Sequence, residues 1–450
     1  MNKKTLIIPK QIVTMNAEME ILRNHGVQIN NGIIEKVCSL KGFDYEKYPG
    51  DIYVCNDLTL LPGFVQTHVH LCQSLFRGLA DDMELLDWLQ KRIFPYENSH
   101  NEKSLRLSAQ LGISEIIESG TTTILDMGTI NHQEVVFEEM ISSGIRGFSG
   151  KCMIDENDLY PAFKESTEQS LSTSYELAKT FHNSADGRIQ YAFAPRFALS
   201  CSEGLLKDTF KMTNDFNGSL YHTHSSENKG EIEAVKQKYG KENIEFFDSI
   251  NVLSDRTILA HCIHTNEKEI ELLKNSQTRV AHCPSSNMKL GSGIADIPGY
   301  LNKGISVSLG ADGAPCNNNL SMFTEMRLAT LIQKPIHGST TMDAKTMVKM
   351  ATIDGAKALH LDGQIGSIEV GKKADLVLLN LRQVSNSLLN KDENIYSDIV
   401  YSSNDNSVSD VMISGKWVVR KGKSTFYNAE KLIHDARQEL KKLLRRTDIG

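Results

Sequence analysis

Nothing in this chain offers the positive field that a polyanion needs: 49 Lys and Arg stand against 56 Asp and Glu, a formal net charge of -7 over 450 residues. Neither a nucleic acid nor an anionic membrane is therefore expected as a partner. The one basic stretch, KKLLRR at 441–446, reads as a solvated helix face. No apolar run approaches membrane-spanning length. The opening MNKKTLIIPKQIVT is interrupted by Pro9 and Lys10, so it lacks the apolar core of a secretory signal. The eight cysteines form no Cys-x-x-Cys pair, and Cys262 and Cys283 fall inside apolar strand-like runs. Reduced core thiols in a cytoplasmic protein are expected. Low-complexity linkers and internal repeats are missing as well.

What the chain does have is alternation. Beyond residue 58, eight strand-like segments, from LLPGFVQTHVH (60–70) to GISVSLGADG (304–313), are separated by stretches of helical period such as EKSLRLSAQLGISEIIESG. Strand followed by helix, repeated, is the sequence form of a parallel sheet, and eight such units predict a closed (β/α)8 barrel over 58–364. The ends read differently: short strands in 1–57, with a turn signal at Asn30–Gly32, and hairpin-like ADLVLLNL and DVMISGKWVVRKGK within 365–425. These two sets predict one small β-sandwich built from both ends of the chain, with a terminal helix over 426–450.

In a barrel of this kind the reactive groups gather at the C-terminal ends of the strands. Strand one ends in His68 and His70, two apart and so on one face. Strand five ends in His222, His224 and Glu227, strand six carries His261 and His264, strand seven has His282, and strand eight ends with Asp312. Each alone has an ordinary explanation: a surface histidine, a satisfied core histidine, a helix cap. Together they predict a metal site of nitrogen and oxygen ligands, two from strand one, one from strand five and one from strand eight, suited to zinc or iron(II) with a position open for water.

Six segments in order carry a resemblance: PGFVQTHVH (62–70), HTHSSE (222–227), AHCIH (260–264), AHCPSSNMKLGSG (281–293), GADGAPCNNN (310–319) and GSIEVGKKADLVLL (366–379). The chain resembles the amidohydrolase superfamily, in its aminohydrolase branch of guanine, S-adenosylhomocysteine and 5'-deoxyadenosine deaminases and triazine hydrolases. The resemblance implies His68, His70, His224 and Asp312 as ligands of one divalent ion, and Glu227, His261 and Asp312 as the acting groups. His222 competes with His224, and the family's H-x-x-E spacing favours His224, leaving His222 as a lining residue. Binuclear relatives use a carboxylated lysine at the end of strand four; IQYAFAPRFALS has none there, so one ion is expected, with Lys151 after strand three the alternative to be checked.

The implied reaction is hydrolytic release of ammonia from a cyclic amidine. Glu227 would shuttle a proton to the ring nitrogen, Asp312 would take a second, and His261 would orient the attacking water. Gln73 and Trp88, in the long connection 71–103, and Arg196, in APRFALSCSE, are candidate substrate contacts; Trp88 either stacks on a flat ring or packs on the barrel. A purine nucleoside or base, 5'-deoxyadenosine-like or guanine, is the expected substrate. Creatinine or cytosine, expulsion of chloride from a triazine, and a non-catalytic scaffold are the alternatives. A homo-oligomer is expected.

Overall fold

Gly63 is where the chain changes sheets. Its N–H donates to the Asp375 carbonyl at 3.0 Å, and a Cβ there would fall 2.2 Å from the Thr122 side chain. The apolar run 60–70 reads as one strand, but the structure, a computed structural model describing residues 4–388 and 392–447, divides it. Asp51–Pro62 belongs to one sheet and Phe64–His70 to another. The expected boundary at residues 57 and 58 thus falls inside a strand.

The second sheet is parallel and runs in chain order: β1 (Phe64–His70), β2 (Thr121–Asp126), β3 (Arg146–Ser149), β4 (Ile189–Pro195), β5 (Leu220–Ser225), β6 (Thr257–His261), β7 (Arg279–His282) and β8 (Val307–Leu309). After β8 the two-residue strand Asp312–Gly313 pairs with β1, Asp312 opposite Val69 and Gly313 opposite His70, which brings the last strand round to the first. Helices such as Glu102–Glu118, Gln133–Ser143 and Glu267–Ser276 fill the crossovers. This is the (β/α)8 barrel that the alternation predicts.

At the base of the barrel one apolar residue from each of seven strands meets its neighbours: Val65, Leu125, Phe148, Ala192, Leu220, Ile258 and Ala281, floored by Ala356, Leu359, Leu361 and Ile365. Higher up the interior turns polar. Thr67 and Ser308 share a hydrogen bond of 2.7 Å, and His222 stands above them in β5. The apolar floor carries the packing, so the rim is free to hold histidines and carboxylates.

The first sheet joins both chain ends. Its order runs Lys423–Ser424, Lys416–Arg420, Val408–Ile413, Leu376–Leu379, Asp51–Pro62, Lys4–Val13, His25–Asn30, Ile33–Ser39. The seam is the antiparallel pairing of Leu376–Leu379 with Asp51–Pro62. The turn signal falls where expected: Asn31 and Gly32 take φ of 50° and 81° between two antiparallel strands. The terminal helix spans Ala429–Arg446; residues 448–450 of its expected range lie outside the described residues. All eight cysteines are buried and unpaired, and no helix among the described residues is long and apolar enough to cross a membrane.

Candidate metal and catalytic site

His68 and His70 reach the barrel mouth from the end of β1, and both are buried. Asp312 has a φ of 63°, uncommon for a residue with a side chain, and this turn directs its carboxylate across the mouth. Its Oδ1 lies 3.3 Å from His68 Nε2 and 3.4 Å from His70 Nε2, and accepts the Gly313 N–H at 2.8 Å. From β5, His224 Nε2 comes within 3.2 Å of His70 Nε2.

Backbone carbonyls decide which ring nitrogens are bare, because a carbonyl can only accept. His224 Nδ1 lies 2.7 Å from the Arg196 carbonyl, so its hydrogen is there and Nε2 presents a lone pair. His222 Nδ1 faces the Ile258 carbonyl at 3.1 Å, which leaves His222 Nε2 to accept from His68 Nδ1 at 2.8 Å. His68 Nε2 is bare in turn. Burial holds His70, His222 and His224 well below the ordinary histidine range, so these rings are neutral, the form that binds metal. Three converging imidazole nitrogens and one carboxylate oxygen fit a divalent ion of the zinc or iron type. His222, with both nitrogens engaged, is an orienting partner of His68.

Glu227, two residues beyond β5, is buried, with Oε2 3.5 Å from His261 Nε2. Its N–H donates to Glu231 Oε2 at 2.8 Å, and Glu231 is itself fixed in the capping box of Asn228 that starts the helix Lys229–Tyr239. His261 Nε2 also lies 3.9 Å from Asp312 Oδ2. Burial, then the charges of Asp312 and Glu231, push the Glu227 carboxyl well above the usual range. Burial would raise Asp312 too, but its position against the His68, His70 and His261 rings outweighs this and holds Asp312 well below. Two carboxyl groups driven apart in this way are suited to opposite roles in proton transfer.

A cavity opens over this cluster, lined by Gln73, Leu85, Trp88, Leu89, Arg196 and Phe197 together with the histidines and carboxylates. Gln73 Nε2 donates to Glu97 Oε1 at 2.7 Å, so its carbonyl oxygen is left over, buried and without a partner among the described residues. Trp88 packs among Leu85, Leu89 and Phe94, and its buried Nε1 also has no partner among the described residues. Arg196 spends its fork on Glu97, with Nη1 to Oε2 at 2.8 Å and Nη2 to Oε1 at 3.2 Å, and lies over the Phe94 ring. Burial opposes its charge, and the Glu97 carboxylate more than offsets this. Arg196→Ala should therefore leave a buried carboxylate unpaired and cost about 3–5 kcal/mol of stability, read as a lower denaturant midpoint. Glu97→Gln in the same chain should recover part of that loss.

Other residues fall outside the cluster. Lys151 is buried against Glu165 Oε1 at 2.8 Å and donates to the Ile130 carbonyl, which occupies it as an ion-pair partner. His264 Nε2 is 2.6 Å from the Ser292 carbonyl, a loop contact. His282 is fully buried, neither ring nitrogen has a partner among the described residues, and burial pushes it down to about 3. Glu97 and Glu231 are site residues that the sequence pattern does not disclose. Glu231 had a signal, as the third residue after Asn228 in a capping box.

A hydrolase of carbon–nitrogen bonds, with a cluster of histidines and an aspartate that could hold a metal ion at the mouth of its barrel, is the class that this fold and site define. The chain belongs to the amidohydrolase family, whose model matches residues 59–418. It is 36% identical to a 5-methylthioadenosine/S-adenosylhomocysteine deaminase of Thermoanaerobacter pseudethanolicus, over 86% of this chain and 87% of that protein. It is 38% identical to a 5'-deoxyadenosine deaminase of Methanosphaera stadtmanae, over 85% and 87% of the two chains. Among solved structures, an adenosine deaminase from Xanthomonas campestris with bound zinc superposes with a TM-score of 0.91 at 28% identity, covering 98% of this chain and 99% of that one.

Proposed function

We propose that this protein is a hydrolytic deaminase of an adenosine-type purine nucleoside, using one zinc or iron(II) ion held by His68, His70, His224 and Asp312. The observation that carries the chemistry is the convergence of these four side chains beside Glu227 and His261, with Glu227 driven towards its protonated form and Asp312 kept ionised. A single ion is favoured because Lys151 is committed to Glu165 and residue 196, beyond β4, is an arginine. The nucleoside is favoured by the relatives named as deaminases of adenosine derivatives.

His68, His70, His224 and Asp312 would hold the divalent ion, which would supply water at a lowered pKa. Glu227 delivers a proton to the ring nitrogen next to that carbon and takes one from the attacking water. Asp312 receives the other proton and passes it to the departing amine, so that water and the amidine become a ring carbonyl and ammonia. His261 Nε2, between the two carboxylates, orients the water. The unpartnered Gln73 Oε1 and Trp88 Nε1 are an acceptor and a donor waiting for complementary groups on the heterocycle. Arg196 borders the cavity and shapes it through Glu97.

The test is ammonia release, compared by kcat/KM across 5'-deoxyadenosine, S-adenosylhomocysteine, adenosine, adenine, guanine, cytosine and creatinine. The 5'-substituted or 5'-deoxy nucleosides should lead, with adenine far behind, because binding energy from the sugar is used at the reacting carbon. A preference for guanine or a small ring would overturn the nucleoside assignment and leave the deaminase chemistry standing. Faster loss of chloride from 6-chloropurine riboside than of ammonia from adenosine would point to a different leaving group.

A further inference from the structure

Ser286 and Asn287 stand side by side in AHCPSSNMKLGSG, and neither has a role in the scheme above. Pro284 opens the short helix Pro284–Lys289 directly after β7, and this helix carries both residues, fully buried, to the barrel mouth. Ser286 Oγ donates to Asp312 Oδ2 at 2.6 Å. Asn287 Oδ1 lies 2.8 Å from His261 Nδ1. The backbone at Asn287 is held at both ends: its N–H donates to the Cys283 carbonyl at 3.0 Å, and its carbonyl accepts the Ser292 N–H at 2.9 Å.

The strand does not fix the His261 ring. His261 and Cys262 take φ of 73° and 45°, a region few residues with side chains adopt, just where β6 ends. The ring's hydrogen bond is the one to Asn287, through Nδ1. With the Nδ1 hydrogen given to an amide oxygen, Nε2 is bare and faces Glu227 Oε2 at 3.5 Å and Asp312 Oδ2 at 3.9 Å. Asp312 is divided in the same way: Oδ1 turns to His68 and His70, and Oδ2 is held by Ser286.

We propose that Ser286 and Asn287 are the positioning residues of this site, Asn287 selecting the His261 tautomer with a bare Nε2 and Ser286 keeping Asp312 Oδ2 turned away from His68 and His70. This rests on the reading of His261 and Asp312 as acting groups. Asn287→Leu removes the acceptor at similar volume. It should lower kcat about 10–100-fold, the scale for groups that orient a metal-site residue, with KM within about twofold and unchanged metal content. Ser286→Ala should behave alike. Asn287→Asp keeps an acceptor at the same atom and should recover most of the lost kcat.

A readout apart from activity is the imidazole Nδ1–H resonance of His261 in 15N-histidine-labelled protein, assigned by its absence in His261→Asn. It should persist in Asn287→Asp and vanish in Asn287→Leu, or in Asn287→Ala if the leucine variant does not fold. Wild-type kcat in Asn287→Leu with the resonance retained, beside a slow His261→Asn, would overturn the positioning role alone. A KM that rises in step with the lost activity would overturn it too, by making Asn287 a substrate contact. Full activity of His261→Asn would instead remove the underlying reading of His261.

Discussion

Glu227→Gln should turn over at least about 10²-fold more slowly than the wild type, the usual scale for losing a general acid–base group, while binding metal and substrate as before. Glutamine keeps the volume and the hydrogen-bonding length of the side chain but can neither release nor take up a proton at Oε. The backbone would stay in place, because the contact that holds residue 227 runs from its own N–H to Glu231 Oε2 and does not involve the replaced group. Burial favours the neutral amide: the same desolvation that pushes the Glu227 carboxyl upward is relieved when the ionisable group is gone. Stability should therefore hold or rise slightly, separating a chemical loss from a folding loss. Steady-state kcat beside elemental analysis checks this, and near-normal turnover would remove Glu227 from the chemistry.

What made the cluster readable from sequence was its dependence on local rules. His68 and His70 share a face because a strand alternates, and the strand-end placement of His224, Glu227 and Asp312 follows from the barrel's polarity. Glu97 was invisible for the opposite reason. It sits in IFPYENSH as an isolated acid, and its meaning comes from Arg196, 99 residues away, and from the Gln73 amide it orients. Asn287 is similar: in sequence a helix residue after a proline, in space the partner of a ring at the end of β6. The break at Gly63 was punctuated by Pro62 but masked by the apolar run that continues past it, and only the close approach of Thr122 makes a glycine necessary there. That both chain ends build one small β-domain, expected as a sandwich, was legible as two sets of short strands. Their register was not, since the seam joins Leu376–Leu379 to Asp51–Pro62 across the whole barrel. The positive φ of His261 and Asp312 also lay beyond reach, because Asp and His adopt that region more often than most residues but still in a small minority of cases.

Metal content should separate the ligands from the residues that support them. Wild-type protein purified without chelator should carry one divalent ion per chain, and two tightly bound ions would overturn the single-ion reading. Asp312→Ala removes the carboxylate oxygen that faces both His68 and His70 Nε2, and His224→Ala removes the nitrogen facing His70. Loss of a ligand should weaken binding by more than the ~10–100-fold typical of a supporting residue, enough to leave either variant empty after dialysis. The fold should survive, because the apolar floor around Val65, Phe148 and Ile258 lies below the cluster and does not depend on it. His222→Ala is the informative contrast. His222 accepts from His68 Nδ1 and is anchored on the Ile258 carbonyl, so its removal frees the His68 ring without deleting a donor atom from the site. It should retain metal at stoichiometric loading while losing affinity in a chelator competition. The reverse pattern, an empty His222→Ala beside a loaded His224→Ala, would exchange the two roles and place the ion one layer deeper in the barrel.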